Sequence, residues 1–498
     1  MNTLQPFGPE PDAGASPASG ARIAVHPIHL VPKKSITEHT LIEESLYEVR
    51  QKIYPRAVSG WFAGWRVSLV IATQVVFYGL AWLQWNGRQA VLFDLAARKF
   101  YIFGLVLWPQ DFIYLAALLV IAAMSLFLFT TAAGRLWCGY ACPQTVYTEI
   151  FLWIERKVEG DRARRMKLDG QAMSARKFVL KLTKHSLWIA LGLWTGYTFV
   201  GYFTPIRELA GEIATFSIGP WESFWVLFYG LATYGNAGWM REQVCKYMCP
   251  YARFQSAMFD SDTMIISYDR ARGEPRGARS KSADASTLGL GSCVDCGICV
   301  QVCPTGIDIR NGLQYECIGC AACVDACNQV MDKIGYAPGL IRYSTENALK
   351  HRWNGKQMLS RLARPRVLAY AAVLGLVIAG ALTSLGFRQP FKFDVIRDRG
   401  SLSRELEDGS IENIYRLQLM NTRESSQQFV IRVSGLPTLA VAANDTVTVS
   451  AATSMMVPVK LRLQPGQANA GMHEIEFEVR DADEPDIVAR DRSVFVIR

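Results

Sequence analysis

The chain has 498 residues, half of them hydrophobic and only 19% charged, with a mean hydropathy of +0.11. That balance excludes a single soluble globule and fits apolar spans joined to soluble parts, three or so domains on length alone. The net charge of +9 does not point to nucleic acid. The basic residues gather beside apolar segments, where an anionic membrane leaflet is the partner.

Residues 1–60 start polar and rich in Pro, Gly and Ala, with no apolar core of a cleavable signal peptide. They read as a partly disordered cytoplasmic tail. His26 and His29 sit in it as solvated side chains rather than metal ligands.

About five stretches are long enough to cross a bilayer, which takes about 20 residues each. They are roughly 67–86, 112–131, 186–204, 222–240 and 367–386. Trp82, Trp85, Trp188, Trp221 and Trp225 mark several ends, as an aromatic belt does. The apolar run 101–108, cut off by Pro109, Gln110 and Asp111, reads as an interfacial segment. Loop 132–185 carries eleven Lys or Arg and loop 205–221 only Arg207. The positive-inside rule places the first loop in the cytoplasm and the second outside. Residues 241–366 are then cytoplasmic, in keeping with Lys350, Arg352, Lys356, Arg361, Arg364 and Arg366 before the last span. That span carries the C-terminal part across.

Two cysteine pairs lie at the expected cytoplasmic mouth of the membrane. Cys138 and Cys142 precede Pro143, and Cys245 and Cys249 precede Pro250, both as C-x3-C-P. On a helix, side chains four apart share a face, so each pair could offer two thiolates to one ion. Soft thiolates suit Cu(I) or an iron–sulfur centre. The plain alternative is four buried, unliganded cysteines, against which the repeated spacing and position argue. Arg241 and Lys246 nearby are candidates to lower thiol pKa values. His185, beside a span, reads as structural.

The strongest signal runs from Cys293 to Cys327. Cys293, Cys296, Cys299 and Cys303 form one C-x2-C-x2-C-x3-C copy, and Cys317, Cys320, Cys323 and Cys327 form a second. This is the spacing of bacterial two-cluster ferredoxins, where each [4Fe–4S] cube takes its fourth thiolate from the other copy. Cluster 1 is accordingly assigned to Cys293, Cys296, Cys299 and Cys327, and cluster 2 to Cys317, Cys320, Cys323 and Cys303. Pro304 follows the first copy as the motif expects, while Asn328 replaces proline after the second. Zinc sites use four ligands in pairs set well apart, and disulfide frameworks belong to small secreted chains. All twelve cysteines fall in C-x2-C or C-x3-C spacings, with none left over for a disulfide.

From about 391 the hydrophobic pattern changes to period two. Ile414–Met420, Gln428–Val433, Val447–Ser450, Met456–Leu463 and Glu474–Val479 alternate between turn signals such as Ser434-Gly435, Ala443-Asn444-Asp445 and Pro465-Gly466. This predicts an antiparallel sandwich of roughly 100 residues. Met455, Met456, Met472 and His473 read as core-filling strand residues rather than a copper site. The whole is a multi-domain membrane protein: tail 1–60, a four-helix membrane region 61–250, and a cytoplasmic α+β ferredoxin domain with linker 251–366. A fifth transmembrane helix at 367–386 then leads to an all-β, immunoglobulin-like periplasmic domain at 391–498.

With these motifs in view, the chain resembles the FixG/CcoG/RdxA family, cytochrome c oxidase accessory proteins of bacteria. The resemblance rests on CGYACPQTVY at 138–147, CKYMCPYARFQ at 245–255, the eight-cysteine run at 293–327 and GLIRYSTENAL at 339–349. It implies a multi-pass protein of the bacterial inner membrane carrying two [4Fe–4S] clusters, which supports assembly of a cbb3-type oxidase. In this family Cu(II) is held to be reduced to Cu(I) for copper chaperones. Here Cys138, Cys142, Cys245 and Cys249 form the candidate copper and redox site. The implied partners are a cytoplasmic electron donor and copper chaperones or oxidase subunits. No G-x-G-x-x-G loop suggests a bound NAD. Two other readings stand beside this one: a quinol dehydrogenase or electron-transfer subunit of a respiratory chain, and a non-catalytic assembly scaffold.

Overall fold

The computed structural model describes residues 52–280, 287–397, 403–442 and 445–497. The tail reading with His26 and His29, and Ala443-Asn444 of one expected turn, lie outside them. Among the described residues, three helices are long and apolar enough to cross a membrane: Trp61–Leu80 (α1), Pro109–Ala133, whose α-helical part is Phe112–Ala133 (α2), and Pro365–Gly386. The last runs beside α2, where Tyr114 Oη donates to Ser384 O at 3.1 Å. At the other end Arg364 donates to Thr131 O.

α1 starts and stops six residues before the expected 67–86, for two local reasons. Its first turn is capped by Asp325, whose carboxylate accepts from the N–H groups of Phe62 (3.3 Å) and Ala63 (2.7 Å). A carboxylate there satisfies orphan donors and suits the helix dipole. Beyond Leu80 the Asn86-Gly87 pair, both at positive φ, turns the chain into a hairpin with Trp85 opposite Arg88.

The run 101–108 is a correction. It forms the last two strands of a three-stranded antiparallel sheet, Val91–Asp94, Lys99–Ile102 and Leu105–Leu107. Val106 and Trp108 are buried against Met420 of the C-terminal domain. Asp111 adds ion pairs to Arg388 and Lys392. The run is thus strand, covered on its buried side by protein.

After α2 come short helices Leu136–Tyr140 (α3) and Pro143–Glu159 (α4), then Arg162–Gly170 (α5). The expected stretch 186–204 falls mostly in the second half of Ala175–Val200 (α6), capped by Ser174. After Ile206–Ala214 (α7), the stretch 222–240 divides into Pro220–Thr233 (α8), with Glu222 in its first turn, and a π-helical segment Tyr234–Met240. α6 and α8 touch backbone to backbone: a Cβ on Gly192 would lie 2.7 Å from Gly230 O, and one on Gly196 would strike Val226 O. Small residues permit that approach.

The ferredoxin region is tied by a two-stranded sheet, Ile265–Tyr268 with Ile341–Ser344, and by the helix Ala322–Ile334. The C-terminal domain is a sandwich of two antiparallel sheets. One runs 440–441, 454–463, 411–421 and 391–397, with 404–405 beside 411–412; the other runs 446–449, 427–434, 471–481 and 488–497. Inward residues such as Phe391, Tyr415, Phe429, Leu461, Phe477 and Phe495 fill the space between them. Met455 and Met456 in the first sheet and Met472 in the second are exposed rather than core-filling, a correction: they lie near the ends of their strands, past the packed interior. His473 Nε2 bonds its neighbour Asn469 O at 2.8 Å. The sandwich and the ferredoxin region sit at opposite ends of the apolar helices.

Candidate iron–sulfur and thiol site

The two cysteine copies fold by the same backbone rule. In copy one, Asp295 and Gly297 flank Cys296 at φ 51° and 64°; in copy two, Gly319 and Ala321 flank Cys320 at φ 70° and 57°. Two left-handed residues around each second cysteine curl the loop so that successive thiols face inward. Ala321 adopts this conformation without glycine's freedom and is fully buried, a strained position held by its surroundings.

The loops enclose two cavities. Cys293, Cys296, Cys299 and Cys327 line one of about 370 Å³, with Ile298, Met331 and Ile341 on its walls. Cys303, Cys317, Cys320 and Cys323 line the other, of about 330 Å³, where Cys299 also reaches the wall beside Ile307 and Ile309. Cys327 and Cys303 each cross to the opposite copy.

These thiols suit an iron–sulfur cube. Burial pushes Cys299 up to about 11 and both Cys317 and Cys327 up to about 12, and neighbouring thiolates add to the last two. Buried thiols such as Cys293, Cys299 and Cys320 stand on apolar walls, and a bound polycationic group would reconcile their charged forms. Backbone N–H groups of Gly319, Ala322 and Ile341 favour the thiolates of Cys317, Cys320 and Cys327. Among the described residues no three His, Cys, Asp or Glu side chains crowd one point as ligands of a single ion do. A cube takes one thiolate at each of four iron corners, so its ligands stand apart.

The C-x3-C-P motifs differ from the expected helical face. Cys142 and Cys249 are extended N-cap residues before Pro143 and Pro250, each proline opening a new helix, α4 and Pro250–Met258 (α9). Proline drives the preceding residue out of the helical region, so each pair straddles a break rather than one helix face. Cys138 lies in α3 and Cys245 in a π-helical turn, Val244–Met248. The four nevertheless come within electrostatic reach of one another, without closing on one point as ligands of a single ion do: Cys245 feels the charges of Cys142, Cys138 and Cys249. Burial first, then those neighbours, pushes Cys245 up to about 12. Cys138 rises to about 11, chiefly by burial, and its thiol donates to Gln255 Oε1 at 3.4 Å.

This quartet abuts the second cavity. Cys138 and Cys245 pack in one apolar cluster with Ile318, Cys320 and Cys323. Gly139, between the two cysteines of the first motif, lies so close that a Cβ there would sit 2.9 Å from Cys320 Cα and N. Gly139→Ala should therefore keep the iron but part the thiols from the Cys320 loop. The expected result is electron transfer from the reduced centres to a thiol-bound acceptor slowed at least about tenfold (about 1.4 kcal/mol), read by anaerobic stopped flow.

Arg135 joins the same elements. Its guanidinium donates to Tyr315 O, to Cys317 O at 3.4 Å, to Ala252 O and to Ser256 Oγ at 2.7 Å. Its charge reaches Cys138, Cys317, Cys245 and Cys249. Sequence reading saw Arg135 only as one of eleven loop cations and looked to Arg241 and Lys246. Arg241 is instead held by Glu155 at 2.8 Å and lies over Trp188. His185 is structural: its Nδ1 is 3.1 Å from Tyr234 Oη, and its ring stacks on Trp239.

Comparison with known proteins places this arrangement. Residues 240–346 match a family model described as "4Fe-4S dicluster domain", 115–159 match "4Fe-4S binding domain", and 381–498 match an IG-like fold at the C-terminus of FixG. Nitrogen fixation protein FixG of Rhizobium meliloti is 38% identical over 84% of this chain and 87% of its own length. The chain belongs to the FixG/RdxA family. Protein RdxA of Cereibacter sphaeroides is 38% identical over 89% of this chain and 97% of its own, and RdxB of the same organism 40% over 80% and 84%. The crystal structure of a FixG-related protein from Vibrio parahaemolyticus aligns with 22% of the chain at 25% identity, with a TM-score of 0.21. The family member described here is thus an iron–sulfur protein with ferredoxin-type domains, an Ig-like C-terminal domain and membrane-type helices. The match over 115–159 covers just two cysteines, Cys138 and Cys142.

Proposed function

We propose that this protein reduces Cu(II) to Cu(I) at Cys138, Cys142, Cys245 and Cys249, to supply copper during assembly of a cbb3-type cytochrome c oxidase. The observation that carries this reading is the seat of Gly139 directly on the Cys320 backbone, which sets the first thiol motif against the wall of the second ferredoxin cavity. Cluster 1 is held by Cys293, Cys296, Cys299 and Cys327, and cluster 2 by Cys303, Cys317, Cys320 and Cys323. Bound cubes supply one-electron storage at potentials tuned by charge, hydrogen bonds and exposure. The chain's own part is to keep water from the second cavity with Ile307, Ile309 and Ile318, and to anchor the two motifs through Arg135. Buried thiols that lose protons to a soft cation favour Cu(I) over Cu(II) as product.

In this reading the protein is a multi-pass protein of the bacterial inner membrane, with α6 and α8 completing five spans. The ferredoxin domain, which meets a cytoplasmic electron donor, faces inward with the eleven basic residues of loop 132–185. The sandwich is periplasmic and meets oxidase subunits or copper chaperones.

The test is anaerobic. Wild type and Cys138→Ala/Cys245→Ala are reduced with dithionite, freed of excess reductant and mixed with Cu(II). Cu(I) is read with a chromogenic chelator, and iron by metal analysis and EPR. The double variant should keep about eight irons, the content of two cubes, while Cu(I) formation falls at least about tenfold (about 1.4 kcal/mol). Loss of further iron would instead make the quartet a third iron–sulfur centre and overturn the copper reading.

A further inference from the structure

Where α6 ends and α8 begins, beside the three-stranded sheet of residues 91–107, lies a cavity of about 600 Å³, within the range of small-molecule sites. Its sides are tied together. Phe93 N donates to Tyr202 O at 2.7 Å, and Gln89 donates to Gly201 O at 2.7 Å and accepts from Ile206 N at 2.9 Å. Val106 of the same sheet packs on Met420 of the sandwich, so the cavity lies at the far end of the molecule from the cluster cysteines.

One wall is aromatic. By ring centroids Phe199 lies 4.0 Å from Tyr229 and 5.4 Å from Phe203, and Trp225 stacks on Tyr229 at 5.7 Å. The charged lining is all of one sign: Asp94 and Glu222, with no Lys, Arg or His. Neither carboxylate has an ion-pair partner among the described residues. Asp94 accepts from its own turn, at Ala97 N, 2.8 Å away. Lys99, opposite it in the sheet register, turns instead to Ala452 O at 2.8 Å and lies over the Trp108 ring. Glu222 suits the first turn of α8 through the helix dipole, yet no donor among the described residues takes its oxygens.

These features select a ligand. Two carboxylates repel an anion, and a neutral molecule would leave both charges unanswered. A metal ion needs more donors: among the described residues no third His, Cys, Asp or Glu side chain joins the two. Ring faces attract organic cations through their quadrupole, as in the aromatic cages that hold alkylammonium groups. The geometry points to a binding site for an organic ammonium group, its charge answered by Asp94 and Glu222 and its carbons laid on the aromatic wall. Trp221, 72% exposed on the rim, is placed as a membrane-interface anchor. The ammonium can therefore arrive on a lipid headgroup, whose phosphate stays outside a lining without cations, or on a free alkylammonium compound.

The full-length, iron-loaded protein is placed in nanodiscs of phosphatidylglycerol, whose headgroup has no ammonium, and titrated with radiolabelled choline by equilibrium dialysis. A second arm adds phosphatidylethanolamine and counts retained lipids by native mass spectrometry. Binding should saturate in at least one arm. Glu222→Gln and Trp225→Leu should each raise the half-saturating concentration at least about tenfold (about 1.4 kcal/mol) with iron content unchanged. Where either variant loses iron, Asp94→Asn in the exposed turn takes its place. Phosphatidylethanolamine that is retained and excludes choline identifies the lipid as the source; choline binding that the lipid leaves untouched identifies a free compound. No saturable binding in either arm, or binding indifferent to the substitutions, overturns the assignment. So does Mg(II) that displaces choline while Trp225→Leu has no effect. Copper and electron transfer enter none of these readouts, so this site stands or falls apart from the function proposed above.

Discussion

Glu155→Ala is expected to destabilise the protein by about 3–5 kcal/mol, the range for removing one partner from a buried ion cluster. The Glu155 carboxylate is almost fully buried, with Arg165 Nη1 at 2.9 Å, Arg241 Nη2 at 2.8 Å and Lys184 Nζ at 3.7 Å. Its neighbour Glu159 takes Lys184 at 3.0 Å and Lys181 at 2.9 Å. Without Glu155, Arg165 and Arg241 keep no carboxylate partner among the described residues. The damage should spread, because the cluster ties α4, α5, α6 and the π-helical segment that leads into Cys245. Burial alone would raise the Glu155 pKa, yet Arg241, Lys184 and Arg165 hold it below the ordinary glutamate range. A depressed folded pKa gives stability that is present above the unfolded value of about 4.3 and is lost only as pH falls through the folded one. The gap in melting temperature between wild type and variant should therefore stay constant from pH 6 to 8. Glu155→Gln should cost nearly as much as Ala, and Lys184→Met less, since Glu155 would keep both arginines. A Glu155→Ala protein that melts like wild type would show the cluster to be dispensable.

The second large effect concerns which thiol serves which cavity. Cys293→Ala/Cys327→Ala removes two thiols from one cavity and none from the other. It should retain about four of about eight irons, as one intact cube would. Cys293→Ala/Cys317→Ala touches both cavities and should lose nearly all iron. If each copy held its own cube, the first pair would instead empty both sites. Iron analysis with EPR of the reduced protein separates the two patterns.

Much of this was legible in the chain because it is local. The eight-cysteine spacing sets Cys327 and Cys303 across from their own copies; each lines the cavity of the opposite copy, and Cys299 reaches both cavities. Period-two alternation located the strands around Tyr415, Phe429 and Phe477 to within three residues. What escaped depended on distant partners. Nothing local in the run 101–108 announces Met420, more than 300 residues later, so an apolar segment looked like a membrane-surface one. Arg135 looked like any inside-loop cation until folding set the Cys317 carbonyl and α9 around it. The break at Cys142 and Cys249 was readable, since Pro143 and Pro250 already forbid an unbroken helix there.

The Asp325 cap on α1 has a consequence for the order of folding. Ala63 donates to a carboxylate 262 residues further along, on the helix that also carries Cys323 and Cys327. At about 5–20 residues per second, that carboxylate leaves the ribosome roughly 13–50 s after the helix it closes. The first apolar helix to be made is thus among the last to be finished, and its first turn waits on the ferredoxin fold.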